Sequence, residues 1–190
     1  MRHHFRKPGR RPTGGTSTSA GMTLIELSVS MVVLAVAVSA TLASITSFAG
    51  LESANERKIE AYLSVRRTIE TMQASQFGDT FALYNADPAD DPVAGLSPGP
   101  GFAVAGLTAP DGDPDGLAGL VRFPINGAGE LREDLNDPDF GLPRDLNADG
   151  IIDALDHSGD YVVLPARVRV DWADATGPRF VEISTLLSIR

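Results

Sequence analysis

The chain predicts an α+β fold. A long N-terminal helix, membrane-spanning in its first half and amphipathic in its second, is packed by a small antiparallel β-sheet with Asp/Gly/Pro-rich loops. Three observations predict it. Residues 22–51 carry one charged side chain, Glu26, in thirty positions. Residues 52–77 place apolar side chains at three- and four-residue steps. Residues 161–172 and 179–189 alternate apolar and polar positions on either side of a turn. Proline divides helix from sheet, since none occurs between Pro12 and Pro88 and every later one falls in the β-rich part.

Residues 1–21 form a basic leader. They contain Arg2, Arg6, Lys7, Arg10 and Arg11 and no acidic residue, and then turn small and polar up to Gly21. Nothing there builds a core, so this segment reads as a disordered leader peptide. The chain as a whole has 16 basic and 25 acidic side chains, so the leader carries +5 and the remainder −14. An acidic body repels phosphate backbones, which excludes nucleic acid as the expected partner. Cysteine is absent. That removes disulfides, thiolate metal sites, a Cys nucleophile and a lipoprotein anchor.

Residues 22–50 read as a transmembrane helix. No charge occurs from Leu27 to Leu51, and about 20 apolar residues span the ~30 Å hydrocarbon layer. Basic charge before this segment and acidic charge after it put the N-terminus in the cytoplasm and the C-terminal domain on the far side of the membrane. Residues 51–77 continue the helix with an apolar stripe of Ile59, Tyr62, Val65, Ile69, Met72 and Gln76. Gly78-Asp79 supplies the expected stop.

Residues 78–190 form the β-rich domain. Asp, Pro and Gly crowd residues 85–118, leaving room for a short strand at 102–107. A second strand is expected at 119–125. The two strongest lie at 161–172 and 179–189, joined by a hairpin turn over 173–178. In the first, Val168, Val170 and Trp172 alternate with Arg167, Arg169 and Asp171. In the second, Val181, Ile183, Thr185, Leu187 and Ile189 share one face. A sheet of three or four such strands laid on the helical stripe buries both apolar faces.

Glu26 is informative because an uncompensated carboxylate in a membrane helix costs about 2.5–3.5 kcal/mol at the bilayer centre. The string Gly21-Met22-Thr23-Leu24-Ile25-Glu26 lies between a basic leader and some twenty-five uncharged residues. It resembles the cleavage and methylation signal of type IV pilins and type II secretion pseudopilins. The resemblance implies a structural subunit and not an enzyme. A prepilin peptidase cuts after Gly21, and Met22 becomes an N-methylated N-terminus. Glu26 neutralises the α-amino group of a neighbouring subunit in the filament core. The implied partners are that peptidase, other pilin or pseudopilin subunits, and an inner-membrane assembly platform with its cytoplasmic ATPase. Met22 stands where major pilins commonly have Phe, and Ala43 falls near the position of their mid-helix proline. Both departures lean towards a minor pilin or pseudopilin.

Ordinary export competes with this reading. Ser47-Phe48-Ala49 is an acceptable site for a secretory signal peptidase. The alternative function is therefore a membrane-anchored or exported calcium-binding interaction module outside any filament.

The calcium expectation comes from residues 145–156, DLNADGIIDALD. Oxygen donors Asp145, Asn147, Asp149, Asp153 and Asp156 occupy positions 1, 3, 5, 9 and 12 of a twelve-residue loop. Gly150 is at the sharp turn and the Ile151 carbonyl at position 7. Ile152 is the expected apolar anchor into the core. The motif resembles EF-hand and dockerin loops, but ends in Asp156 where Glu is usual and lacks room for two flanking helices. That favours a structural ion, Ca2+, over a sensor. Asp111, Asp113 and Asp115 match no metal template well and read as a turn. His157, beside Ser158 and Asp160, reads as a surface histidine, because residues adjacent in sequence rarely converge into a catalytic triad.

Overall fold

A computed structural model of the protein describes residues 23–93, 95–174 and 177–189. The leader and the Gly21–Met22 junction lie outside them. The elements are helix α1 (Leu24–Ala74), a 3-10 turn (Phe77–Asp79), helix α2 (Thr80–Tyr84) and strands β1 (Gly101–Phe102), β2 (Gly119–Arg122), β3 (Val163–Asp174) and β4 (Gly177–Ser188). The chain divides into two units, Met1–Phe48 and Ala49–Arg190.

In the first unit, α1 begins at Leu24 because Thr23 caps it. The Thr23 Oγ1 accepts the Glu26 backbone N–H at 3.3 Å, so Thr23-Leu24-Ile25-Glu26 has the spacing of a capping box. Glu26 lies in the first turn, where the positive end of the helix dipole favours a carboxylate. Side chains from Leu24 to Phe48 are exposed on every side. The helix is long and apolar enough to cross a membrane, with a mean hydropathy of 2.1 over its most apolar window. Its seven hydroxyls, on Ser28, Ser30, Ser39, Thr41, Ser44, Thr46 and Ser47, each donate to a carbonyl one turn earlier. Polar side chains in this stretch are thus satisfied by their own helix.

In the second unit the buried stripe of α1 differs from the expected one. Val65 and Met72 are buried and Ile69 is partly buried as anticipated, but Ile59 and Tyr62 are 50% and 48% exposed and Gln76 is exposed. Ala61 and Ser64 take the contact line instead. Small Ala61 and Ser64 are thus buried together with the larger Val65 and Met72. The core unites Ala61, Val65 and Met72 with Val168, Val170, Trp172 and Leu187.

Helix α1 also stops before the expected Gly78-Asp79. Gln76 is extended (φ −64°, ψ 121°) and the chain re-enters as a 3-10 turn. The Tyr161 hydroxyl fixes this corner by donating to the Phe77 carbonyl at 2.7 Å and accepting the Phe81 N–H at 3.1 Å. The Phe77 and Tyr161 rings meet edge-on at 5.0 Å. A contact across some eighty residues therefore holds the corner that follows the helix.

The sheet is antiparallel throughout, in the order β1-β2-β3-β4. The β3–β4 ladder runs from Val163↔Ser188 to Asp174↔Gly177, with residues 175 and 176 between the strands. Val168, Val170 and Trp172 are buried as expected, while Arg167, Arg169 and Asp171 face outward. There Arg167 pairs with Glu182 and Asp139, and Arg169 with Asp171 while lying 4.1 Å over the Phe180 ring. On β4 Leu187 is buried, and Ile189, just past the end of the strand, is exposed. The first two strands are shorter than expected. Pro124 supplies no N–H to extend β2, and β1 gives way to a turn at Gly106 with φ 73°. Gly119 is required where β1 and β2 meet, since a Cβ there would stand 2.3 Å from the Phe102 ring.

Met72→Ala is expected to destabilise the second unit by about 2–5 kcal/mol. Tyr62→Ala is expected to cost less than about 1 kcal/mol, as at other exposed positions. Denaturant unfolding of the full chain in detergent, followed by the fluorescence of its single tryptophan, buried Trp172, checks both.

Candidate metal centre

The predicted calcium loop is irregular, held together by its own carboxylates. Asp145 accepts the N–H groups of Ala148 at 2.6 Å and Gly150 at 2.8 Å. Asn147 accepts from Asp149, Asp149 from Ile151, and Asp153 from Leu155. Short Asn and Asp side chains form such turns readily because they bond to the backbone two residues on. Ala148 (φ 64°) and Gly150 (φ 86°) turn the chain sharply at positions 4 and 6. These contacts occupy part of each oxygen's capacity, since a carboxylate has about four acceptor sites. The first half of the loop is therefore a run of Asx-type turns around Asp145.

The second half is arranged differently. Asp156 accepts the N–H groups of Leu131 and Ser158 and the Ser158 hydroxyl. Ile152, the expected core anchor, is 50% exposed. Leu146 at position 2 is buried in its place, and its carbonyl accepts the N–H groups of Val162 and Val163 at the entry to β3. The anchor is set by where the loop joins the sheet, not by its eighth residue.

Behind the loop lies Glu133, with a fully buried side chain (0% exposed). Its Oε1 accepts the N–H groups of Leu146 and Asn147, and its Oε2 that of Asp153 at 3.4 Å. His157 is 3% exposed, which corrects its reading as a surface histidine. Its Nε2 lies 3.3 Å from Asp153 Oδ1 and 3.7 Å from Glu133 Oε2, and its Nδ1 lies 3.0 Å from Asp160 Oδ1. Carboxylates only accept, so a protonated ring nitrogen donates to the one it faces, Nδ1 to Asp160 and Nε2 to Asp153. Burial opposes charging of the ring. Hydrogen bonds to Asp160 and Asp153 and the charges of Glu133 and Asp160 outweigh it, and hold the imidazole pKa above its ordinary value. Asp160 is lowered by the Asn147 amide first and by His157 second, against burial.

Glu133, Asp153 and His157 each offer a ligand atom within 4.8 Å of the others, so this trio can hold a metal ion. It brings together one predicted ligand, Asp153, with two residues the loop template does not contain. Sequence reasoning missed Glu133; the one signal that could have found it is its place between Leu131 and Leu135, which are buried and partly buried. Comparison with protein-family models, characterised proteins and solved structures finds no match for this chain.

The remaining acidic cluster is a turn. Asp113 accepts the N–H groups of Asp115 and Gly116, and Asp115 that of Leu117. Ser158 Oγ bonds Asp156, not His157, so these neighbours do not assemble a serine–histidine pair.

Glu133→Ala strands three backbone N–H groups, two of them beside buried Leu146. At about 1–3 kcal/mol for each buried group left unsatisfied, the expected loss is roughly 3–5 kcal/mol. Asp113→Ala, at an exposed turn, is expected to cost less than about 1 kcal/mol. Paired thermal melts of the two variants in chelator distinguish the buried carboxylate from an ordinary turn residue.

Proposed function

We propose that this chain is a pilin-like structural subunit of a type IV pilus or type II secretion pseudopilus, of the minor pilin or pseudopilin kind. The observation that carries the reading is the first half of α1. It is apolar on all sides, its seven hydroxyls are bonded to their own backbone, and its one charge is Glu26 in the first turn. Such a helix suits a bilayer and equally a bundle of identical apolar helices. The sequence Gly21-Met22-Thr23-Leu24-Ile25-Glu26 adds the processing signal. The second unit, with its four-stranded sheet and its own core, supports the reading as the folded domain of such a subunit.

On this reading the subunit sits in the bacterial inner membrane, N-terminus cytoplasmic, until prepilin peptidase removes residues 1–21 and Met22 is methylated. The platform and its ATPase then transfer the helix from lipid into the filament. The α-amino group of one subunit and Glu26 of another are each costly in apolar surroundings, so their pairing fixes axial register. Methylation keeps the amine's charge. Calcium, when bound to Asp145, Asn147, Asp149, the Ile151 carbonyl, Asp153 and Asp156, neutralises the loop and stiffens the periplasmic domain.

The N-terminal mass of the mature protein from native membranes tests the pathway. The expected chain begins at N-methylated Met22. A start at Gly50 would replace the filament reading with an exported calcium-binding module, and an intact Met1 with a simple anchor. Glu26→Ala is expected to leave leader cleavage intact while reducing recovery in sheared filaments at least tenfold. Wild-type incorporation of that variant would remove the amine-pairing role.

A further inference from the structure

The geometry points to a second cation site behind the calcium loop, for a borderline divalent metal of the zinc class. Its ligands are Glu133, Asp153 and His157 Nε2, and Asp160 is the positioning residue for the imidazole. The site does not depend on the filament reading and shares only Asp153 with the calcium template.

Donor chemistry selects the metal. Calcium takes oxygen ligands, whereas imidazole suits zinc and its first-row neighbours. A buried imidazole nitrogen directed at two carboxylate oxygens is therefore a mixed nitrogen–oxygen set, outside the calcium template. Spacing agrees. Tetrahedral zinc with bonds of about 2.0–2.2 Å sets its donors roughly 3.3–3.6 Å apart. Here His157 Nε2 stands 3.3 Å from Asp153 Oδ1 and 3.7 Å from Glu133 Oε2.

The supporting groups are already in place. Metal-bound histidines usually donate their other ring N–H to a carboxylate, which fixes the tautomer and turns the free lone pair to the ion. Asp160 Oδ1 accepts from Nδ1 at 3.0 Å, and Asp160 Oδ2 is itself held by the Asn147 amide at 3.2 Å. Glu133 is anchored through Oε1 by the Leu146 and Asn147 N–H groups, which presents Oε2 to the imidazole. Asp153, about one-third exposed, opens the trio to solvent. Water can enter there and complete four-coordination.

Charge gives the same answer. Three carboxylates, Glu133, Asp153 and Asp160, surround one imidazole, and Glu133 is fully buried. Protonating the ring supplies one positive charge. A divalent ion on the neutral ring supplies two, at the point where the buried carboxylate needs compensation.

The test uses the full chain in detergent, carrying His3→Gln and His4→Gln so that His157 is the one imidazole left. Metal-stripped protein is titrated with Zn2+ in a large excess of Ca2+. One tight equivalent is expected, with a coordination shift of the His157 Nε2 resonance. Co2+ in place of Zn2+ should give the intense visible bands of a four-coordinate site. His157→Gln should weaken Zn2+ binding at least 100-fold and Asp160→Asn by roughly 10–100-fold. Asp145→Ala with Asp149→Ala should keep the Zn2+ equivalent while losing any Ca2+ response. The proposal is overturned by no saturable Zn2+ binding, by displacement with Ca2+, by equal affinity in His157→Gln, or by loss of Zn2+ in the Asp145/Asp149 variant. The Nε2 resonance is read on unsubstituted His157, so an unshifted signal at saturating Zn2+ overturns the site even if a variant fails to fold.

Discussion

The buried carboxylate of Glu133 is the interaction on which the loop-rich part of the domain depends. Twelve residues with no helix or strand must hold a fixed path, and their backbone donors need acceptors. Glu133 gathers those of Leu146, Asn147 and Asp153 at one point. Leu146, so fixed, receives the first N–H groups of the β3 entry and fills the core. A few residues on, Tyr161 closes the corner between α1 and α2. From one acidic side chain the order passes to the loop, then to the longest strand pair, then to the end of the helix.

Burying a carboxylate is costly unless charge or hydrogen bonds offset it. The domain supplies both, through backbone donors on one oxygen and His157 near the other. The same arrangement that stabilises the fold gathers Glu133, Asp153 and His157 into a trio that can hold a metal ion. Structure and ligand affinity are two aspects of one electrostatic problem.

Local patterns made much of this legible in the sequence. The uncharged run after Glu26, the alternation of Val168, Val170 and Trp172, and the turn before Arg179 each follow from a period or a composition, and the structure has α1, β3 and β4 there. What was not legible depends on contacts distant in sequence. The α1 stripe includes Ala61 and Ser64, which hydrophobicity alone did not single out. The corner after the helix is held by Tyr161, some eighty residues away, and not by Gly78 alone. His157 looked like a surface residue because its neighbours are polar, and only folding brings Glu133, twenty-four positions earlier, against it. A template with its ligands in one segment has no place for a carboxylate arriving from outside.

The seven hydroxyls of the first helical half have a consequence for how such helices recognise one another. Each proton is already given to the helix's own carbonyls, so the surface offers no lateral adhesion by side-chain donors, only dispersion between small and branched side chains. What distinguishes one position along this surface from another is then the shape of its small and branched side chains and the lone acidic residue, Glu26, in the first turn.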